Sequence, residues 1–460
     1  MKSHYFYHKL FFVLFFLFYV CFAYLLVGFD WSSLRVLSII SMIFFIFMCF
    51  CATLKEKYFW IAFPLVVLVM PNAINDFFPS EYMGDSIYVN MPRFALFTHI
   101  DLFFILGLLR YVKFGCKSVV FSKVGSEITF FSLLLIVSFI LVILNSDFLS
   151  VSLFGSFQFR YILYAMVLVF FSNINIYQDS LLKGILLSLM LIVLEASVFT
   201  FIYTDGSRLT SGNYGVNTLA HLLAAILFYI YFSNFKYKFL IAVFVLFIIY
   251  LTGTRVTFLS IFFVYLVLYF LRSKSASNIS LLIIFSPMLI FLFFVMQSNA
   301  REVLSSILFV INANVDIFNI ARVDFASSFI TRVQLWHASI MMLYDNFWFG
   351  VGPGVWSYVK VNYQIPFYSV LDPHHDLLNI LVSYGVIGSI PFIYFYFYLP
   401  LSTLFKFNVT KEKLLFSMSI LGFLLIVMFS GFANAPLWKH PIAMMYSLMV
   451  FLLVRNLKEV

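Results

Sequence analysis

Arginine and histidine are the residue types in this chain whose placement points to chemistry. Arg208, Arg255 and Arg332 fall in polar stretches between apolar runs, and Asp372–Pro373–His374–His375–Asp376 opens a later run. A planar guanidinium binds two oxygens of a phosphate at once and keeps its charge when partly buried. A neutral imidazole beside a bound anion can remove a proton from an alcohol. Because Asp is a favoured helix N-cap and Pro a favoured first-turn residue, Asp372 and Pro373 predict a helix start with His374 and His375 in its first turn. There the helix dipole favours anions and disfavours a protonated imidazole. Metal binding by the two histidines is the rival reading, but adjacent side chains on a helix point apart.

The surroundings of these residues are equally specific. Residues 204–217 are small, polar and glycine-rich and lead into an apolar run, a setting in which backbone N–H groups and Arg208 can meet an anion at a helix start. Arg255 stands in a short turn where Thr252, Thr254 and Thr257 are expected to hold it. Residues 322–346 read with a 3.6-residue period as an amphipathic helix. Its apolar face is expected at Val333, Trp336, Ile340 and Leu343 or Tyr344, bordered by Arg332, Gln334 and His337. The turn Gly350–Val351–Gly352–Pro353–Gly354 then breaks it. This is not a nucleotide loop, since no strand precedes it and no Gly-Lys-Ser/Thr follows.

The elements that must position these residues are greasy. The chain is 64% hydrophobic and 10% charged, with a mean hydropathy of +1.05, which excludes an ordinary water-soluble domain. Continuous apolar runs of membrane-crossing length predict an all-α polytopic membrane protein with about fourteen spans, twelve at the least. They centre near residues 19, 43, 65, 102, 136, 165, 192, 224, 245, 263, 288, 388, 421 and 445. The third is interrupted by Pro64 and Pro71. The expected division is spans 1–11 in residues 1–297, a large outer loop with amphipathic helices in 298–375, and spans 12–14 in 376–460.

Charge orients this arrangement. Alternating spans place 18 basic and 5 acidic residues on one side, against 10 basic and 12 acidic on the other, so the richer side is cytoplasmic with both termini. The net charge of +9 thus reflects topology rather than nucleic-acid binding. Within it the inner side holds 15 Lys and 3 Arg, the outer side 8 Arg and 2 Lys, an arginine bias that suggests anion recognition outside. The four cysteines, Cys21, Cys49, Cys51 and Cys116, show neither metal-ligand spacing nor placement for a disulfide.

The order Arg332-x3-Trp336, Gly350–Val351–Gly352–Pro353–Gly354, His374–His375–Asp376–Leu377 and Tyr384–Gly385–Val386–Ile387–Gly388 resembles the signature of the O-antigen ligase and O-antigen polymerase (Wzy) superfamily. The Arg208 region and the Thr254–Arg255 turn are similar to its two upstream arginine positions, so the resemblance spans roughly residues 200–400. One departure is His375, which stands where the family usually has Asn. It leaves open which histidine works, and alignment of the box favours His374.

The resemblance implies a GT-C-like glycosyltransferase of the bacterial inner membrane, acting at the periplasmic face on undecaprenyl-diphosphate-linked glycans as donor and acceptor. It implies inversion at the anomeric carbon and independence from metal, which fits the absence of an Asp-x-Asp pair from the sequence. His374 would be the catalytic base; Arg208, Arg255, Arg332, His337 and His375 would bind substrate, with no cofactor. Membrane lipids, a chain-length regulator and a flippase are the partners implied, within lipopolysaccharide biosynthesis. Polymerase and ligase differ in acceptor, a second lipid-linked repeat unit against lipid A core. The 64 Phe and the number of spans favour polymerase. A secondary transporter using Asp101, Glu195 and His221 as coupling residues is the reading from another class; it lacks an inverted repeat of broken spans and leaves the large outer loop unexplained.

Overall fold

The structure, a computed structural model, describes residues 56–69, 99–114, 121–147, 152, 157–172, 177–203, 208–211, 214–272, 328–363, 372–404, 411–432 and 434–458. Among them every regular element is helical. In chain order these are α1 (Glu56–Leu68), α2 (His99–Phe114), α3 (Phe121–Leu144), α4 (Phe157–Phe171), α5 (Gln178–Tyr203), α6 (Val216–Phe232), α7 (Lys238–Thr252) and α8 (Arg255–Arg272). After them come α9 (Ser328–Asp345), the single turn α10 (Trp356–Val359), α11 (Asp376–Ile393), α12 (Leu399–Leu404), α13 (Lys411–Ser430) and α14 (His440–Lys458). Gln178–Phe201 and Asp376–Ser402 are each long and apolar enough to cross a membrane. Each expected span that falls on described residues is a helix; those near residues 19, 43 and 288, with Arg301, Arg322 and the four cysteines, lie outside the described residues.

The chain divides into two compact units. The first comprises Met1–Ser118, Leu168–Leu219 and Phe244–Gly253. Here α1 packs along α5 and α2. Pro64 lies inside α1, and α5 meets it with Gly184, where a Cβ would come within 2.5 Å of the Ile61 carbonyl oxygen. Phe59 stacks on Phe103 with ring centroids 5.0 Å apart. Tyr214 Oη donates to the Leu68 carbonyl at 2.5 Å, meeting one of the acceptors that a helix end leaves over.

The second unit comprises Val119–Val167, Ala220–Val243 and Thr254–Val460. In it α11 packs on α3 and α9, and α13 packs on α8 and α14. The fit of α11 on α3 is close, since a Cβ on Gly388 would fall 2.5 Å from Val142 Cγ2. α11 is broken at Gly385 (φ 65°, ψ −176°). The break releases two helical hydrogen bonds, and the segment 347–352 remakes all four ends. Val351 N–H donates to Val382 O at 2.9 Å and Gly352 N–H to Ser383 O at 3.0 Å, while Val386 and Ile387 N–H donate to Phe347 O at 2.8 Å and Trp348 O at 3.1 Å. A break in an apolar helix is tolerated where the freed backbone groups find such partners.

The glycine turn follows from this pairing. Gly350, Gly352 and Gly354 all have positive φ, at 71°, 103° and 79°. A Cβ at Gly350 would collide with the backbone of α11 at Val382 and Gly385, and one at Gly385 with the backbone of Trp348 and Phe349. Two glycines, one on each side, allow the two backbones to touch.

The expected amphipathic helix is α9, but its buried stripe differs from the expected one. Leu335, Ala338, Ser339 and Met342 are buried, whereas Ile340 is 53% and Tyr344 78% exposed. The helix is apolar on two sides, so periodicity alone does not say which side packs. Packing is decided by the chain after the glycine turn: Val351, Val355 and Trp356 close over Leu335, Ala338 and Met342. Trp356 Nε1 donates to Ser339 Oγ at 3.0 Å, and Tyr363 Oη donates to Asp345 Oδ2 at 2.6 Å, fastening both ends of the segment.

Candidate functional site

His374 is the conformational exception of the described chain, the one non-glycine residue there with positive φ, at 52°. Left-handed backbone at such a residue costs about 1–2 kcal/mol and collects at functional sites. Asp372 holds it there, with one oxygen, Oδ1, accepting from the His374 backbone N–H at 2.8 Å. The same oxygen lies 3.1 Å from His374 Nδ1. A carboxylate at that nitrogen favours the proton on Nδ1 and leaves the Nε2 lone pair outward. The imidazole is 37% exposed, and its carboxylate partner 11%. Asp372 therefore orients a histidine that remains open to a substrate.

The helix that follows starts later than the sequence suggests. His375, not Asp372, is the N-cap of α11, in extended conformation, and its Nδ1 accepts from Leu378 N–H at 3.3 Å. Both histidines thus precede the first turn. Asp372 is drawn away from capping because its carboxylate is already engaged by His374. An accepting Nδ1 must be unprotonated, and burial pushes the His375 pKa below its ordinary 6.5. Its ring lies edge-on between Trp336 of α9, at 5.6 Å, and Phe432, at 5.5 Å.

The next residue, Asp376, faces the α13–α14 connection. Its N–H donates to Gly431 O at 2.8 Å, and its carboxylate oxygens accept from Leu437 N–H at 3.2 and 3.3 Å. That connection also reaches α6: Asn434 Nδ2 lies 2.6 Å from His221 Nε2, and the other ring nitrogen of His221 lies 2.9 Å from Thr257 Oγ1. His221 is fully buried and so serves as the interhelical tie between α6, α8 and the α13–α14 connection.

The structure sorts the expected site residues. Arg332 is half-buried on α9 and within electrostatic reach of His221; burial pushes its pKa below the ordinary arginine value. Arg332, His374 and His375 share the second unit with Arg255, the exposed first residue of α8, two positions before Thr257. Of the threonines around Arg255, Thr257 Oγ1 lies 2.9 Å from His221 Nδ1, and Thr252 Oγ1 donates to the Ile249 carbonyl at 2.6 Å. His337 is on the exposed side of α9. Arg208 belongs to the first unit, where its side chain runs beside Gly253 and Leu209 N–H donates to Leu251 O at 2.9 Å. Glu195, also there, accepts from Ser211 Oγ at 2.5 Å.

Two contributions escaped the sequence. Asp372 was visible only as a cap, although its spacing of two from His374 is the signal for an orienting carboxylate. Phe432 and Asn434 lie some 60 residues beyond the histidine box, and only the turn-forming Gly431, Asn434 and Pro436 between two apolar runs marked the place. Chemically, the second unit offers an oriented imidazole at His374, a half-buried guanidinium at Arg332 and an aromatic pair flanking His375. Residues 240–393, which contain Arg255, Arg332, His337 and the histidine box, match the family model described as O-antigen ligase. No curated protein matches the chain.

Proposed function

We propose, from the match of residues 240–393 to the family model described as O-antigen ligase, that this protein polymerises lipid-linked glycan repeat units. The donor is a glycan on undecaprenyl diphosphate, the acceptor a second such unit, and the site faces the periplasm of the bacterial inner membrane. The family match supports an enzyme of O-antigen and lipopolysaccharide biosynthesis. The observation that carries the reaction is the Asp372–His374 pair, with Nδ1 3.1 Å from the carboxylate and the ring open to solvent.

In the proposed step His374 Nε2 takes the proton of an acceptor sugar hydroxyl. The hydroxyl oxygen forms the new bond to the anomeric carbon as the bond from that carbon to the diphosphate oxygen breaks, with inversion. Undecaprenyl diphosphate leaves with the electron pair, its charge offset by Arg332 and Arg255. Asp372 stabilises the imidazolium that forms, and the proton then passes to solvent through the exposed face of the ring. The GT-C-like arrangement of about fourteen spans, with the α9 segment in an outer loop, remains part of this proposal.

A ligase that transfers the glycan to lipid A core is the second reading, favoured by the matched family being that of O-antigen ligase. Complementation separates the two. Restoring long O-antigen to a polymerase-null strain whose lipopolysaccharide carries single repeat units supports polymerase activity. Rescue confined to a ligase-null strain, whose lipopolysaccharide carries no O-antigen, would overturn it.

A further inference from the structure

Two buried hydrogen-bond donors lie one turn apart on α9 without acceptors. Arg332 Nε and Trp336 Nε1 are both shut from solvent, and neither has a hydrogen-bond partner among the described residues. Leaving a buried N–H unmet costs about 1–3 kcal/mol, and folded proteins leave few of them so. Trp356, which packs on the same helix, shows the usual solution, donating its indole N–H to Ser339. Positions four apart on a helix face the same way, with Cβ atoms about 6 Å apart. Both residues also look toward the same structure: Arg332 is within electrostatic reach of His221, which Asn434 holds. Trp336 abuts His375, whose other side is Phe432.

The acceptor these donors fit is anionic and rich in oxygen. Arg332 brings a positive charge, and its burial disfavours that charge unless a bound anion offsets it. The single acid on α9, Asp345, is at its far end and engaged by Tyr363. We propose that Arg332 and Trp336 form a two-donor clamp on one phosphate-type group, making Trp336 an anion-binding residue beside the histidine box. The inference rests on the transferase reading above, which supplies the lipid-linked diphosphate as the ligand. A headgroup phosphate of bulk lipid shares this chemistry and is separated by the test.

The test is binding of undecaprenyl diphosphate, inorganic diphosphate and phosphatidylglycerol to the purified full-length protein in nanodiscs. Trp336→Phe keeps the ring against His375 and deletes the N–H. It is expected to weaken undecaprenyl diphosphate about tenfold, while Trp348→Phe, at a position 59% exposed, leaves it unchanged. Inorganic diphosphate showing the same loss supports the clamp. In an Arg332→Gln background the Trp336→Phe loss should shrink, because both donors hold one group. Wild-type affinity in Trp336→Phe, or full additivity in the double variant, overturns the clamp. Displacement of undecaprenyl diphosphate by an equal concentration of phosphatidylglycerol overturns the diphosphate assignment. The transferase reading fails separately: loss of binding in Trp336→Phe with no glycan transfer by the wild type leaves the clamp standing and removes the reaction.

Discussion

Adjacent histidines are held differently here, and the difference lies in which ring nitrogen is occupied. At His374 the Asp372 carboxylate takes Nδ1, so Nε2 is the nitrogen proposed as the base; at His375 Nδ1 is spent on the Leu378 N–H. Replacing His374 with Ala should lower turnover by roughly 10²–10⁴-fold, the usual contribution of a general base. Asp372→Asn, which keeps shape but removes the charge, should lower kcat by roughly 10²–10⁴-fold with KM nearly unchanged, because the imidazole loses the carboxylate that fixes its tautomer. His375→Asn should be tolerated, since Asn is a preferred N-cap. It should also remove a pH dependence. The folded-state pKa of His375 lies below 6.5, so the unfolded chain binds more protons as pH falls through 6.5, and folding stability declines on acidification until the folded-state value is passed. Thermal melts of the wild type between pH 7.5 and 5.5 should show this decline, and His375→Asn should show less of it. At a cap, an imidazole nitrogen can stand in for an amide oxygen. Alignment of the box favours His374 as the base already in the sequence, but the nitrogen occupancy of the two rings was not legible there, because it depends on Asp372 and Leu378 geometry.

At the scale of elements, the decisive feature is the backbone pairing of the segment 347–352 with the break in α11. Gly385→Ala would put a Cβ into the Trp348 and Phe349 backbone and force a left-handed alanine, the latter alone costing about 1–2 kcal/mol. Loss of folded protein from membranes, read by fluorescence-detected gel filtration, is the expected outcome, while a variant of wild-type yield would contradict the pairing. The face of α9 is tested by two substitutions. Met342→Ala should destabilise by about 2–5 kcal/mol and Ile340→Ala by no more than about 0.5 kcal/mol, the reverse of what the expected apolar stripe implies. Helix α9 itself and the glycine turn were legible in sequence, because periodicity and positive-φ glycines are local properties. Which stripe packs was not, because it is chosen by Val355 and Trp356 from beyond the turn. The break inside α11 was likewise hidden, since Tyr384–Gly385–Val386 reads as continuous apolar helix.

Over the whole molecule, apolar runs gave the helices, since the length of a run is enough to predict one. The grouping of those helices was not legible, for each compact unit gathers ranges far apart in the chain, and pairings such as Gly184 against Pro64 depend on surface fit. The site shows the same contrast. Arg332 and the histidine box stand out by residue type, whereas Phe432 and Asn434 join them through the α13–α14 connection, outside the matched residues 240–393. In the proposed reaction His374, oriented by Asp372, is the base for glycan transfer from a lipid diphosphate. The most direct test of that role is incubation of the purified protein with a defined undecaprenyl-diphosphate-linked repeat unit, followed by product sizing. A ladder of lengthening products is expected from the wild type and unextended substrate from an equally folded His374→Ala variant; extension by that variant at the wild-type rate would contradict the role of His374.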